Sequence, residues 1–205
     1  MGSSRLPGKV MQELAGRTVL HHVLERCRAI PGADVVVCAM PDEAQSAPLE
    51  AVARESGAVT FRGSEKDVLA RYLGAARSMK ADIVMRVTSD CPLIDPQVCG
   101  EVLSLRVREG ADYAANNTPR SYPHGLDCEA FTTAALAEAD ASTREAYDHE
   151  HVTPWLPGSA SQARQSFFRQ SRARLSPLDA RLSRGPRIFP SRVRGAAKRQ
   201  PSADE

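Results

Sequence analysis

The chain has 205 residues, 42% of them hydrophobic and 25% charged, with a formal net charge of +2. That is enough apolar material for one packed core, while no apolar run approaches the roughly 18 residues of a membrane helix and no charged-then-apolar leader opens the sequence, so a cytoplasmic protein without membrane contact is expected. The five cysteines (Cys27, Cys38, Cys91, Cys99, Cys128) are odd in number and lack C-x-x-C spacing, which argues against a disulfide framework and against a zinc site.

Residues 2–9 read Gly-Ser-Ser-Arg-Leu-Pro-Gly-Lys. Small residues at Gly2, Ser3 and Ser4 expose backbone N–H groups, and Arg5 and Lys9 bracket a Pro-Gly corner, which is the chemistry of a phosphate-holding loop. The spacing is not that of a Walker A loop: five residues separate Gly2 from Gly8-Lys9, and Val10 stands where a magnesium-binding Ser or Thr is required. The competing reading is a Ser-rich terminus with a chance turn.

Beyond it, Thr18 caps a predicted helix over 18–30 that ends at Pro31-Gly32, followed by a buried strand over 34–39. A second helix over 48–56 is stopped by Gly57 and leads into a strand over 58–61. Ser64 and Asp67 form a capping box for a helix to about residue 80. Residues 83–88 are nearly all apolar and β-branched, a strand expected to be buried on both faces. Asp95-Pro96 opens a helix ending at Gly110. Strands over 112–115 and 126–131 and helices over 132–139 and 142–151 complete the pattern. This β-α alternation implies an α/β fold, a mostly parallel Rossmann-like sheet with helices on both faces and ligands beyond the carboxyl ends of its strands.

At that edge stands Thr88-Ser89-Asp90-Cys91-Pro92-Leu93-Ile94-Asp95. Asp90 caps nothing, so its carboxylate is the candidate for chemistry; Asp95, before Pro96, reads as a helix cap. Tyr122-Pro123-His124-Gly125-Leu126-Asp127-Cys128-Glu129 carries two acids that alternate along the predicted strand and so share a face, an arrangement that also suits a solvated strand surface. In Asp148-His149-Glu150-His151-Val152-Thr153-Pro154-Trp155, the two histidines at i and i+2 point apart on a helix, and zinc chelation is not expected.

These segments resemble the sugar cytidylyltransferases that activate keto-deoxy-octonate and sialic-type sugars, most closely the spore coat polysaccharide biosynthesis protein F branch. The resemblance runs over about residues 1–156 and implies a nucleotide-diphospho-sugar transferase fold of GT-A-like type. It implies roles for Gly2, Ser3, Ser4, Arg5 and Lys9 on the nucleotide phosphates and for Ser64 and Asp67 near the base. Asp90 would hold the catalytic magnesium, although Ser89 fills the Gly slot of the family's Gly-Asp-x-Pro-Leu-Ile segment. Asp127 and Glu129 would meet the sugar or a second metal, with His124 in place of the usual Asp. Glu150 and His151 match the family's Arg-Glu-His-Val-Thr-Pro segment, with His149 in the Arg position; they read as mainly structural, with a substrate contact by His151 as the functional alternative. The implied partners are CTP and a sugar, with a second copy of the chain optional; the implied activity is nucleotidyl transfer to an acidic sugar with release of pyrophosphate.

Two departures qualify the resemblance. The family's phosphate loop follows a short apolar strand ending in Gln-Ala-Arg, and its absence before Met1 suggests a start codon assigned too late or a shortened gene. From Pro157 onward 11 Lys/Arg face 3 Asp/Glu, a formal +8, against 16 and 22, a formal −6, up to Leu156. The 157–205 stretch is Arg-, Ser- and Pro-rich with little periodicity, and is expected to be disordered or a frameshift product. The alternatives are a non-catalytic remnant of the same fold acting as a binding protein, and a basic-tailed nucleic-acid binder with Phe167, Phe168 and Phe189 as stacking residues.

Overall fold

A computed structural model of the chain describes residues 8–156 and the backbone of 165–167. The chain divides into two units, Met1–Arg169 and Gln170–Glu205, and everything described belongs to the first. Gly2, Ser3, Ser4 and Arg5 lie outside the described residues, as does most of the 157–205 stretch.

The strands are β1 (Glu13–Leu14), β2 (Arg17–Thr18), β3 (Val37–Pro41), β4 (Val59–Gly63), β5 (Ile83–Arg86), β6 (Tyr113–Ala115), β7 (Glu129–Thr132) and β8 (Gln165–Phe167). The helices are α1 (Val19–Arg28), α2 (Ala47–Glu55), α3 (Val68–Ser78), α4 (Pro96–Glu109), α5 (Thr133–Ser142) and α6 (Ala146–His151). Local chemistry explains most boundaries. The Thr18 hydroxyl accepts from the His21 amide at 3.2 Å and starts α1. Asp95 accepts from the Gln97 and Val98 amides at 2.8 and 3.3 Å, Pro96 takes the first helical position, and Gly110 at φ 57° closes α4. At α3 the predicted capping box forms only in half. Ser64 accepts from the Asp67 amide at 3.0 Å, but Asp67 itself is the cap, accepting from the Ala70 amide at 2.9 Å, so the helix begins at Val68. The helix expected over 142–151 is shorter, because Thr143 turns the chain by accepting from the Glu145 amide at 3.2 Å.

Described strands form three hydrogen-bonded sets: the β1-β2 hairpin, a parallel β3-β4 pair, and a four-stranded sheet ordered β5-β7-β6-β8. The expected mostly parallel sheet carries one strand of opposite direction. β7 runs antiparallel to both β5 and β6, because residues 116–128 connect β6 to β7 without a helix and a parallel return requires a crossover. β5-α4-β6 is such a crossover, and β7 inserts between its strands. β8 pairs parallel with β6, beyond the boundary drawn at 156 from the charge pattern.

Alternation along β6 and β7 supplies the α/β/α layering. Tyr113, Ala115 and Phe131 pack with Leu69 and Leu73 of α3 and Leu136 of α5. Ala114 and Ala130 face the other way, onto Cys27 of α1 and Cys99 and Val102 of α4. A third cluster joins α1, α2 and β3 through Leu20, Leu24, Met40, Leu49 and Ala53. β5 is only half-buried throughout, where burial on both faces was expected, since β7 is its one hydrogen-bonded neighbour among the described residues. All five cysteines are free thiols.

Gly100 lets α4 approach the turn after α1. A Cβ there would stand 2.9 Å from Pro31 Cδ and 3.1 Å from its Cβ and Cγ, against a ring that cannot rotate away. Gly100→Ala is therefore expected to destabilise the fold by about 1–3 kcal/mol despite its better helix propensity. In a Pro31→Ala background the same change should become neutral or stabilising by up to about 1 kcal/mol, a coupling that urea unfolding of the two single variants and the double variant measures.

Candidate active site

The carboxyl end of β5 leads into the loop that carries Thr88, Asp90 and Cys91. These residues, with Arg86, Asn117, His124, Gly125, Asp127 and Glu129, line one cavity of about 380 Å³. That volume lies in the range of small-molecule sites. Its far wall is the β6–β7 connection, held in shape by the buried Asn116 amide, which donates to the Leu126 carbonyl at 2.8 Å and accepts from the Cys128 amide at 2.9 Å.

Three ion pairs organise the charges. Lys9 Nζ donates to Asp90 Oδ2 at 2.7 Å across 81 residues of sequence, joining the start of the described chain to the loop after β5. Both side chains are about two-fifths exposed. Burial works against the Asp90 charge, but the Lys9 ammonium and the Thr88 hydroxyl outweigh it and hold the carboxyl below its ordinary range. Arg120 pairs with Asp127, whose other oxygen lies 3.4 Å from His124 Nδ1. The third pair is buried. Glu129, 5% exposed, accepts from Arg86 Nη1 at 2.6 Å and Thr153 Oγ1 at 3.1 Å on one oxygen, and from the Tyr113 hydroxyl at 2.7 Å on the other.

Of the residues singled out in the sequence, the structure brings Lys9, Asp90, Asp127 and Glu129 together. Asp127 precedes β7 rather than lying in it, yet it and Glu129 line the same cavity. Ser64 and Asp67 are outside the lining; Asp67 caps α3 and also meets His149 Nδ1 at 2.9 Å. His151 stands exposed on α6 against the Tyr147 ring, centroids 4.3 Å apart, also away from the cavity. Sequence reasoning missed Arg86, Tyr113, Asn116, Arg120 and Thr153. The signal for Arg86 was present, as a single charge closing an otherwise apolar strand.

Asp90 offers hard oxygen donors of the kind magnesium takes, with one or two protein carboxylates and the remaining positions filled by phosphate and water. Asp67, Asp140 and His149 form a separate group whose potential ligand atoms lie within 4.8 Å of one another. There the contacts already account for both ring nitrogens of His149: Nδ1 on Asp67 and Nε2 3.4 Å from the Thr143 carbonyl.

The sequence matches the family described as cytidylyltransferase over residues 1–181. It is 32% identical over 155 residues to an uncharacterized protein, MJ1063, of Methanocaldococcus jannaschii, covering 76% of this chain and 63% of that one. It is 33% identical over 117 residues to the spore coat polysaccharide biosynthesis protein SpsF of Bacillus subtilis, covering 55% and 49%. The chain thus spans about half to two thirds of the length of these relatives. Among solved structures, a cytidylyltransferase from Leptospira borgpetersenii superposes with a TM-score of 0.79 at 32% identity, covering 84% of this chain and 73% of that one.

Two outcomes follow from the charges. Glu129→Gln leaves the Arg86 guanidinium mostly buried without its counter-charge, and is expected to cost about 3 kcal/mol or more in urea unfolding, against less than about 1 kcal/mol for Asp127→Asn at its partly exposed pair. The Asp67 hydrogen bond, against a smaller opposing effect of burial, raises the pKa of His149. A raised histidine stabilises fully below its unfolded value of about 6.5 and loses that contribution as pH rises through the folded value. The Tm difference between wild type and His149→Asn should therefore be largest below about pH 6.5 and shrink as pH rises through the raised folded value.

Proposed function

The chain belongs to the cytidylyltransferase family, and on that premise we propose that it transfers a cytidylyl group from CTP to a hydroxyl of an acidic sugar, a precursor of a surface or coat polysaccharide, releasing pyrophosphate in the cytoplasm. The observation that carries this reading is the Lys9–Asp90 pair beyond the carboxyl end of β5, which brings the last residue of the Gly-Ser-Ser-Arg-Leu-Pro-Gly-Lys segment onto a carboxylate of the cavity lining.

In the reaction the sugar hydroxyl oxygen attacks the α-phosphorus in line. The new P–O bond forms as the bond to the bridging oxygen breaks, its electron pair leaves on pyrophosphate, and the hydroxyl proton passes to solvent. Magnesium, held by Asp90, would supply neutralisation of charge on the phosphate oxygens. Lys9, released from Asp90, turns to the departing pyrophosphate together with Arg5. The cavity walls hold the sugar against the nucleotide and limit its access to water, so catalysis is positioning and electrostatics without a covalent enzyme intermediate.

An exposed pair such as Lys9–Asp90 is worth at most about 1 kcal/mol, so exchanging it for phosphate and metal costs little. Removing a charge that acts in the transition state costs far more. Asp90→Asn is expected to lower CTP-dependent pyrophosphate release at least about a hundredfold, near 3 kcal/mol in barrier, with the loss in kcat and with the unfolding curve within about 1 kcal/mol of wild type. Asp95→Asn keeps a good helix cap and should be nearly silent. Equal activity in the two variants would remove Asp90 from the site, and Mn2+ binding followed by electron paramagnetic resonance with CTP present gives the same comparison without turnover.

A further inference from the structure

The charges around the cavity close among themselves, except at one side chain. Each lining carboxylate already has a permanent cation of its own: Lys9 on Asp90, Arg120 on Asp127 and Arg86 on Glu129. His124 stands outside that balance. It lines the same cavity from the β6–β7 connection, with its side chain 88% exposed and Nδ1 3.4 Å from Asp127 Oδ2. That is long for a hydrogen bond. The other ring nitrogen, Nε2, has no partner among the described residues and is open to a ligand.

A second donor comes from the start of the same connection. Asn117 lines the cavity, and its Oδ1 accepts from the Thr118 hydroxyl at 3.2 Å, which leaves the amide N–H groups unspent among the described residues. The neighbouring Asn116 does the opposite. It is buried and uses both ends of its amide on the Leu126 carbonyl and the Cys128 amide. One asparagine thus fixes the wall that carries His124, and the next leaves its donors to the cavity.

Unspent donors beside carboxylates that are already neutralised favour a compact anion. A carboxylate fits, because a hydrogen bond to an ionised acceptor is about twice as strong as one to a neutral acceptor. A ring that donates from Nδ1 to Asp127 and from Nε2 to the ligand is an imidazolium, so its charge balances the one that the ligand brings. A phosphate dianion fits less well, since Asp90 and Asp127 line the same space. The residue type decides the sign: the Asp that usually stands at this point of the resembled segment would set a further carboxylate beside Asp127 and repel an acid.

We propose that His124 is the specificity-determining residue for the acceptor, receiving the carboxylate of an acidic sugar on Nε2 with the Asn117 amide as second donor. This rests on the reading of the cavity as an acceptor site. It assigns the selection of acids over neutral sugars to the β6–β7 connection, separate from Lys9 and Asp90, which handle the nucleotide.

The test uses the full chain and binding rather than turnover. 3-Deoxy-manno-octulosonate and its neutral methyl ester are titrated calorimetrically without nucleotide, and CTP is titrated separately. Wild type is expected to bind the acid at least about tenfold more tightly than the ester, the scale of one hydrogen bond to a charged group. His124→Gln keeps a donor without the charge and should retain only part of that preference. Asn117→Ala should also reduce it, and His124→Asp should abolish or reverse it. All three variants should keep the wild-type affinity for CTP and unfold in urea as wild type does. No binding of the acid by wild type, equal binding of acid and ester by wild type, or a preference of wild-type strength in any of the three variants overturns the proposal. Acid preference in a chain that does not bind CTP would instead defeat the nucleotidyl-transfer reading and leave the role of His124 standing.

Discussion

The buried carboxylate of Glu129 is the constraint around which the rest of the site is arranged. Moving a carboxylate out of water costs several kcal/mol after relaxation, and only a close counter-charge with further hydrogen bonds repays it. The repayment comes from three places in the chain: Arg86 at the end of β5, Tyr113 at the start of β6, and Thr153 beyond α6. Satisfying one side chain therefore sets the register of three strands and ties the segment after α6 to them. Arg86 faces Glu129 in the β5–β7 ladder, so a slip of that register by one residue would turn the pair to opposite faces. The loop with Asp90 starts directly after β5, and its position is inherited from the same ladder.

Burial sorts the three ion pairs of the cavity by what they can do. Arg86–Glu129 is shielded, expensive to break and fixed. Lys9–Asp90 and Arg120–Asp127 are partly exposed, screened by water, and exchange partners readily. A resting site in which every carboxylate has its own cation avoids unpaired charge in the cavity while leaving the two outer pairs open to a charged ligand. The fixed pair defines a floor and the exchangeable pairs define the rim.

Legibility in the sequence followed the range of the physics involved. Thr18, Asp95-Pro96 and Gly110 act within four residues of chain, and the helices they bound are where the pattern puts them. The layering of helices on both sides of a sheet was likewise readable from the alternation, as was the exposed carboxylate after β5. Strand direction was not: the alternation carries no mark for the connection 116–128, which returns the chain from β6 to β7 without a helix. The two acids Asp127 and Glu129 looked equivalent in sequence and differ in the fold, because only a long-range donor set separates a satisfied buried carboxylate from a partly exposed one. Arg86 was passed over for the same reason. Its partner lies 43 residues away, on a strand whose placement beside β5 no local signal encodes.

The division of the described strands has a mechanical consequence. β3 and β4 share hydrogen bonds with each other but with no strand of the β5-β7-β6-β8 sheet. α3 touches β3 and β4 on one side and α5 and α6 on the other, so it straddles the two sets. A continuous ladder resists sliding through many directional bonds at once, whereas side-chain packing yields by small rotamer adjustments, the basis of shear motions between packed elements. Among the described residues, displacement of the β3–β4 pair along α3 therefore works against side-chain packing rather than against a shared strand ladder. Lys9 stands before α1, which packs by Leu20 and Leu24 on α2 and β3 and by Cys27 on the β6–β7 face, so such sliding strains α1 between the two sets, while Arg86 and Glu129 stay within one ladder.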